Sequence, residues 1–195
     1  MIVGVLLAAG SATRFGSDKL LGELGNGQCI AEVACTRLRP AVDRLLAIVR
    51  PDDTQLAARL AAAGAEICLF SNAREGMGAS LAYGVAQTPD ADGWLIALAD
   101  MPLVASADAL RIADALRAGA AIAVPVLLGQ RGHPVGFAKG YCAELKALSG
   151  DHGARSVLAS HPGDIVEIPV STASNWLDVD SADDLLRARQ LFKRI

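Results

Sequence analysis

A short, uninterrupted run of apolar residues at the start of the chain limits the folds available to it. Residues 2–8 contain no polar side chain, and Gly10 follows closely. A strand with one face in water alternates apolar and polar residues, whereas a strand covered on both faces is apolar throughout. The run therefore predicts a strand inside a parallel sheet that has helices on both sides.

Helical and extended patterns alternate after this first strand, as they do in parallel sheets. Residues 54–63 predict a helix with Asp52 or Asp53 as its N-cap and Gly64 as its stop. Further helices are predicted at 28–39, 79–86, 107–117, 141–148, 154–159 and 181–192, and strands at 45–49, 66–70, 94–99, 121–126, 135–138 and 165–170. We expect an α/β fold, with residues 1–195 forming a single-domain, Rossmann-like three-layer sandwich whose sheet is mostly parallel.

Composition excludes several classes of protein. Hydrophobic residues make up 52% of the 195 residues, enough for a sizeable core, so intrinsic disorder is excluded. Lys and Arg number 18 against 21 Asp and Glu, which predicts no nucleic-acid and no membrane partner. The four cysteines form no C-x-x-C pair, which indicates free thiols in a reducing compartment, and we expect the protein in the cytoplasm.

The loop after the first strand has the features of a phosphate site. Its small residues Leu7-Ala8-Ala9-Gly10 let backbone N–H groups approach phosphate oxygens, and Arg14 and Lys19 supply positive charge. The spacing is neither G-x-G-x-x-G nor G-x-x-x-x-G-K-[ST], so dinucleotide and Walker-type loops lose support. The alternative is a plain turn with Arg and Lys on the surface.

Asp100 is the first candidate for a metal ligand. It follows the apolar run 94–99 and precedes Pro102. An acid at the exit of a buried strand projects into the crevice where open α/β sheets bind ligands, and Mg²⁺ prefers a few carboxylates together with substrate phosphates. The alternative is an Asp in a turn, or one that caps the next helix.

Several segments, in the same order and at similar distances, resemble the MobA-like nucleotidyltransferases, which include the molybdenum cofactor guanylyl- and cytidylyltransferases. Residues 7–21, L-A-A-G-x-x-x-R-F-G-x-x-K-L-L, resemble the signature loop of the family. Residues 72–81 and 98–102 resemble its G-M-x-x-S-L and L-x-D-x-P motifs. The R-G-H-P-V-G-F block at 131–137 and G-D-H-G-A-R at 150–155 resemble the cytidylyl branch, and 178–185 resembles its closing D-I-D-T-x-x-D-L. Ala12 departs from the family, which often has a small hydroxyl or Gly there.

This resemblance implies a fold of the nucleotide-diphospho-sugar transferase type and a reaction. The reaction is transfer of CMP from CTP to the terminal phosphate of molybdopterin, or of the molybdenum cofactor, with release of pyrophosphate. Mg²⁺ or Mn²⁺ would be held by Asp100 and Asp180, with Asp178 less favoured than Asp180. For Asp180 the alternative is the N-cap of the last helix.

The resemblance also implies roles for the remaining site residues. Lys19 and Arg14, with Asp100, would be catalytic. The nucleotide side would consist of Leu7, Ala8, Ala9, Gly10, Lys19, Asn72, Gly78 and Ser80, and the molybdopterin side of His133, Asp151 and Arg155. For Gly76 and Gly78 the alternative is an ordinary flexible loop, and for His133 a turn residue bonded to backbone.

Two other functions compete with the cytidylyl transfer. A guanylyltransferase would use GTP, but guanylyl members usually have L-A-G-G where this chain has Leu7-Ala8-Ala9-Gly10, and we expect the Ala9 methyl to disfavour a purine. A non-catalytic carrier would bind the finished cofactor and pass it to a recipient molybdoenzyme, which is a further partner to expect. An oxidoreductase is more remote, because the sequence has no dinucleotide fingerprint.

Overall fold

The computed structural model describes residues 1–10, 19–170 and 176–193, and a mixed β-sheet lies at its centre. The strands are β1 (Ile2–Leu7), β2 (Glu23–Gly25), β3 (Gln28–Cys29), β4 (Arg44–Val49), β5 (Glu66–Leu69), β6 (Gly93–Leu98), β7 (Ile122–Leu127), β8 (Gln130–Arg131), β9 (Val135–Ala138) and β10 (Ile165–Pro169). The helices are α1 (Ile30–Leu38), α2 (Thr54–Ala62), α3 (Met77–Ala86), α4 (Ser106–Arg117), α5 (Cys142–Lys146), α6 (Arg155–Ser160) and α7 (Ala182–Phe192).

The strands of the main sheet are ordered β10-β7-β9-β6-β1-β4-β5. β1 lies between β6 and β4 and is parallel to both, β5 is parallel to β4, and β10 is parallel to β7. β9 runs antiparallel between β6 and β7, and β8 forms a short antiparallel hairpin with β7. The predicted α/β fold with a mostly parallel sheet is therefore confirmed.

Helices cover both faces of this sheet, as the apolar first strand requires. α1, α2 and α4 pack with Ile2 and Leu6 of β1 on one face. α3, α5 and α6 pack with Val3, Val5 and Leu7 on the other. Every side chain of β1 is buried, which is the physical reason why its sequence is apolar without alternation. Among the described residues, no helix is both long and apolar enough to cross a membrane.

A small hairpin before α1 differs from the prediction. The helix expected at 28–39 begins only at Ile30, because Gln28 and Cys29 pair with β2. The Glu32 side chain accepts a hydrogen bond from the Cys29 N–H at 2.7 Å, which closes the first turn of the helix. α7 packs against this hairpin and α1 in a third apolar cluster that includes Leu24 and Leu185, so the end of the chain is held close to its beginning.

Packing alone explains why position 136, the second glycine of the R-G-H-P-V-G-F segment, is a glycine. A Cβ at this position in β9 would lie 2.9 Å from Ile112 Cγ2 and 3.0 Å from Leu116 Cδ1, both on α4. These side chains are buried, and a closely packed core has no room for an added methyl. Glycine therefore sets the distance between α4 and the sheet.

We predict that Gly136→Ala lowers the free energy of unfolding by about 1–3 kcal/mol, because overpacking forces buried side chains off their rotamers. Gly140→Ala is the matched control, since a Cβ there would meet nothing within 4 Å and should change stability by less than about 0.5 kcal/mol. Urea unfolding of the two variants measures both values. Equal free energies of unfolding for the two variants would show that α4 moves away from the sheet without an energetic cost.

Candidate functional site

The candidate site lies where β1 and β6 end side by side. The two strands are parallel and in register, with Leu7 opposite Leu98, and the Ala99 N–H donates to the Leu7 carbonyl at 3.1 Å. The chain after Leu7 and the chain after Leu98 therefore leave the same edge of the sheet together. This places Gly10, which is exposed, and Asp100 at the carboxyl ends of neighbouring strands, where open α/β sheets bind ligands.

A distant segment of the chain joins Asp100 through its backbone. The Val179 N–H donates to the Asp100 carbonyl at 3.1 Å, and Val179 is buried in the third apolar cluster. Asp178 and Asp180 flank Val179, so both carboxylates point to the region that Asp100 occupies. One oxygen from each of Asp100, Asp178 and Asp180 lies within 4.8 Å of the others. We call these three residues the carboxylate cluster.

Lys19 inserts its ammonium group into the carboxylate cluster. Its Nζ lies 2.9 Å from Asp100 Oδ2, 2.7 Å from Asp180 Oδ1 and 3.9 Å from Asp178 Oδ1. Burial lowers the pKa of Lys19, but the hydrogen bond to Asp180 and the charge of Asp100 outweigh it, so the pKa is raised above its usual value. Lys19 therefore carries a full positive charge at neutral pH.

The carboxylate cluster remains short of positive charge even with Lys19 in place. Burial, followed by the charges of Asp100 and Asp180, raises the pKa of Asp178 to about 7. Among the described residues, the buried Oδ1 of Asp100 has no hydrogen-bond partner. Three close carboxylates, of which Asp178 resists ionisation, with a free oxygen on Asp100, fit a divalent cation such as Mg²⁺ or Mn²⁺.

The structure excludes the capping alternative for Asp180 and for Asp100, and it places Asp100 in a turn, as the other alternative for that residue has it. Ser181, and not Asp180, is the N-cap of α7, because its side chain accepts a hydrogen bond from the Asp184 N–H. Asp100 caps no helix, since α4 begins at Ser106 with Ala105 before it. The structure brings both Asp178 and Asp180 to Asp100, so either acid could serve with it.

The loop at Gly76 and the loop at Gly150, which resemble different motifs of the family, pack against each other and form a wall. The Gly78 N–H donates to the Gly150 carbonyl at 2.7 Å. A Cβ on Gly76 would collide with the backbone of Gly150 and lie 2.5 Å from Asp151 Oδ1. Gly76 also has a φ of +102°, which an L-residue with a side chain rarely adopts. This loop is therefore closely packed against 149–151, contrary to the alternative of an ordinary flexible loop.

Two predicted nucleotide residues beside this wall have local partners. Ser80 is buried in α3, and its hydroxyl donates to the Gly76 carbonyl at 3.3 Å. Asn72 is exposed, and its carbonyl accepts from the Glu75 N–H at 2.9 Å. The Asn72 side chain thus remains exposed to solvent, whereas the Ser80 hydroxyl already supports the turn around Gly76.

His133 lies on the rim of the same edge because β9 runs antiparallel. The residues before β9 lie where β6 ends, and His133 Nδ1 is 3.5 Å from the Ile96 carbonyl. Burial lowers the pKa of this half-buried histidine, although the Ile96 carbonyl and the charge of Asp100 act in the opposite direction. The charge of Arg155 also reaches His133. The structure thus brings His133 and Arg155 together, while Asp151 lies at the wall with Gly76.

Trp176 contacts the chain next to His133, although no motif of the sequence predicted it. A Cβ on Gly132 would collide with Cε2 and Nε1 of the Trp176 ring, so the indole packs directly on the Gly132 backbone. Trp176 is half-buried and lies two residues before Asp178. It is one of only two tryptophans in the chain, and its position just before the D-V-D segment was the available signal.

The structure describes only part of the predicted first loop. Arg14 lies outside the described residues. Ala9 is 3% exposed and packs in the core on the α3 face of the sheet. Little of its methyl group is therefore open to a ligand. The Ala9 methyl can contribute little to excluding a purine by direct contact.

The chain is similar in sequence to known proteins. The sequence profile of the family described as MobA-like NTP transferase domain matches residues 4–165. The purine catabolism protein PucB of Bacillus subtilis (strain 168) is 32% identical over 199 residues, which cover 95% of this chain and 96% of PucB.

Solved structures are similar over nearly the whole chain. Rv0371c of Mycobacterium tuberculosis H37Rv is 30% identical, with a TM-score of 0.84 over 97% of this chain and 98% of its own. A second structure of Rv0371c, in complex with manganese, has a TM-score of 0.80, with the same identity and coverage. A nucleotidyl transferase from Methanothermobacter (Mth528) shares the fold, at 23% identity and a TM-score of 0.84 over 100% of this chain and 98% of its own.

We predict that Gly76→Ala is far more harmful than Gly119→Ala, although the two glycines have nearly the same φ, +102° and +100°. Part of the difference comes from the ψ of 179° at Gly76, a combination that is almost restricted to glycine. A Cβ at Gly119 meets nothing within 4 Å, so that variant should lose only about 1–2 kcal/mol for its backbone conformation. Gly76→Ala must in addition separate the loop from Gly150, and we expect a clearly larger loss. Urea unfolding measures both, and equal losses would show that the two loops separate freely.

Proposed function

Because the chain belongs to the family of MobA-like NTP transferase domains, we propose that it transfers CMP from CTP to the terminal phosphate of molybdopterin or of the molybdenum cofactor. The observation that carries the proposal is the insertion of Lys19 among three carboxylates at the ends of β1 and β6. Such a site suits a reaction in which donor, acceptor and leaving group are all phosphates. Pyrophosphate is the second product.

The proposed chemistry needs charge neutralisation more than proton transfer. An oxygen of the acceptor phosphate attacks the α-phosphorus of CTP, and the bond to the β,γ-pyrophosphate breaks. The attacking oxygen is already anionic, so no general base is required, and catalysis comes from positioning and electrostatic stabilisation. His133 suits a positioning role, because its lowered pKa leaves it neutral at pH 7.

The proposed site residues have different roles, according to the part of the substrates that each would contact. A divalent cation, Mg²⁺ or Mn²⁺, held by Asp100, Asp178 and Asp180 would offset the charge of the triphosphate. Lys19 offsets phosphate charge from the protein side, and we assign the same role to Arg14. We place the nucleotide against Leu7, Ala8, Ala9, Gly10, Asn72, Gly78 and Ser80, and the pterin-bearing acceptor against His133, Asp151 and Arg155.

The preference for CTP, and the molybdopterin acceptor, rest on the likeness of residues 131–137 and 150–155 to the cytidylyl branch. A recipient molybdoenzyme is the proposed protein partner, in the cytoplasm. The purine catabolism in the name of PucB makes an enzyme of that pathway the first recipient to test.

We predict that the protein prefers CTP to GTP by at least about tenfold in kcat/KM, a difference that pocket shape alone can supply. The measurement is a competition between labelled CTP and GTP for transfer onto molybdopterin in the presence of Mg²⁺. A preference for GTP would reverse the assignment to the cytidylyl branch. Tight binding of the finished cofactor without transfer from either nucleotide would instead favour a carrier.

In the same competition, Ala9→Gly tests how the base is selected. Because Ala9 is buried, we expect its loss to change the CTP-to-GTP ratio by less than the about tenfold that a direct methyl contact gives. A larger shift toward GTP would show that the methyl touches the base after all.

We predict that Asp100→Asn lowers turnover at least about 100-fold while the protein stays folded, because the variant keeps the shape and removes the charge that holds the cation. Raised Mg²⁺, or Mn²⁺, should restore part of the activity. The exposed Asp90, which precedes β6 at the opposite edge of the sheet, supplies the control Asp90→Asn. Wild-type turnover of Asp100→Asn at ordinary Mg²⁺ would make Asp100 structural.

A further inference from the structure

The ammonium group of Lys19 contacts the oxygens that a metal ion would need. It lies 2.9 Å from Asp100 Oδ2 and 2.7 Å from Asp180 Oδ1, and 3.9 Å from Asp178 Oδ1. The Lys19 side chain is only 11% exposed, whereas those of Asp178 and Asp180 are 46% and 61% exposed. Lys19 therefore lies on the inner side of the carboxylate cluster. The side open to solvent is lined by Asp178 and Asp180.

One such cluster does not hold two cations equally well. The three carboxylate oxygens lie within 4.8 Å of one another, so a dication among them would stand close to the ammonium and be repelled by it. Lys19 also uses lone pairs of Asp100 and Asp180 that a metal would take as ligands. A free divalent cation that takes Asp100 Oδ2 and Asp180 Oδ1 as ligands must therefore displace Lys19 from them.

A triphosphate offers Lys19 a new partner. The Lys19 side chain is a flexible four-carbon stem with a compact charge, and it starts a short 3-10 turn, Lys19–Leu21, next to the end of β1. Phosphate oxygens bound at this edge would draw the ammonium away from the carboxylates and release them for the metal. Binding of the nucleotide and of the metal would then support each other through one side chain.

We propose that Lys19 is an internal counterion of the carboxylate cluster that exchanges for a divalent cation, so that the cation binds well only together with a triphosphate. The part concerning the triphosphate rests on the proposed function. The exchange itself concerns the affinity of the protein for a metal alone, which is measurable without any turnover.

The test is the affinity of the nucleotide-free protein for Mn²⁺, measured by the electron paramagnetic resonance signal of free Mn²⁺. Lys19→Met should bind Mn²⁺ at least about tenfold more tightly than the wild type, because a nearby positive charge is gone. Lys139→Met removes the same charge at the opposite edge of the sheet, where its N–H bonds to the Asp92 carbonyl, and should leave the affinity unchanged. The double variant Lys19→Met/Asp100→Asn should lose the gain, which places it in the cluster.

Unchanged or weaker Mn²⁺ binding by Lys19→Met would overturn the proposal. If Lys19→Met does not fold, Lys19→Gln also removes the charge but keeps a hydrogen-bond donor for the same carboxylates, and its Mn²⁺ affinity gives the same decision. A nonhydrolysable CTP analogue should tighten Mn²⁺ binding by a larger factor in the wild type than in Lys19→Met, and equal factors would refute the coupling. A gain in Mn²⁺ affinity without transfer from any nucleotide would separate a failed reaction from a correct counterion.

Discussion

The backbone hydrogen bond from the Val179 N–H to the Asp100 carbonyl joins the two segments that carry the acids of the site. It joins the exit of β6 to a segment near the end of the chain, and buried Val179 anchors that segment in the apolar cluster of α1, α7 and the β2–β3 hairpin. Two acids are thereby forced toward a third. The Lys19 ammonium offsets part of the repulsion among them, and packing of the surrounding chain offsets the rest, as it does for strained groups at other functional sites.

Charge in the site is arranged locally and not as a broad field. The chain has a small net charge of −3, yet one lysine faces three carboxylates within a few ångströms. Such a site recognises a ligand by the pairing of individual charges, because interactions between exposed groups fade within about 10 Å at ordinary salt. A metal–phosphate complex, which carries both signs, matches this arrangement better than either charge alone.

The sequence predicted the parts of this molecule that depend on local pattern. The apolar run 2–8, the caps of α2 and the exit of β6 at Asp100 all follow from residues close together in the chain. What the sequence could not give was pairing across long distances. The meeting of Asp100 with the 178–180 segment was implied only by the family resemblance. The contacts of Gly132 with Trp176 and of Gly76 with Gly150 join residues 44 and 74 positions apart, and no local pattern encodes them. The β2–β3 hairpin was missed because two-residue strands are too short to show alternation.

The direction of β9 has a consequence for how this scaffold could be modified. In a purely parallel sheet, a strand reaches the ligand edge only with its last residues. Because β9 runs the other way between β6 and β7, the chain reaches that edge twice in a few residues, once on leaving β7 and again on entering β9. The turn at Leu128 and Gly129 between these two visits is exposed. Residues inserted at this turn would enlarge the rim beside His133 without altering the length of any strand in the core.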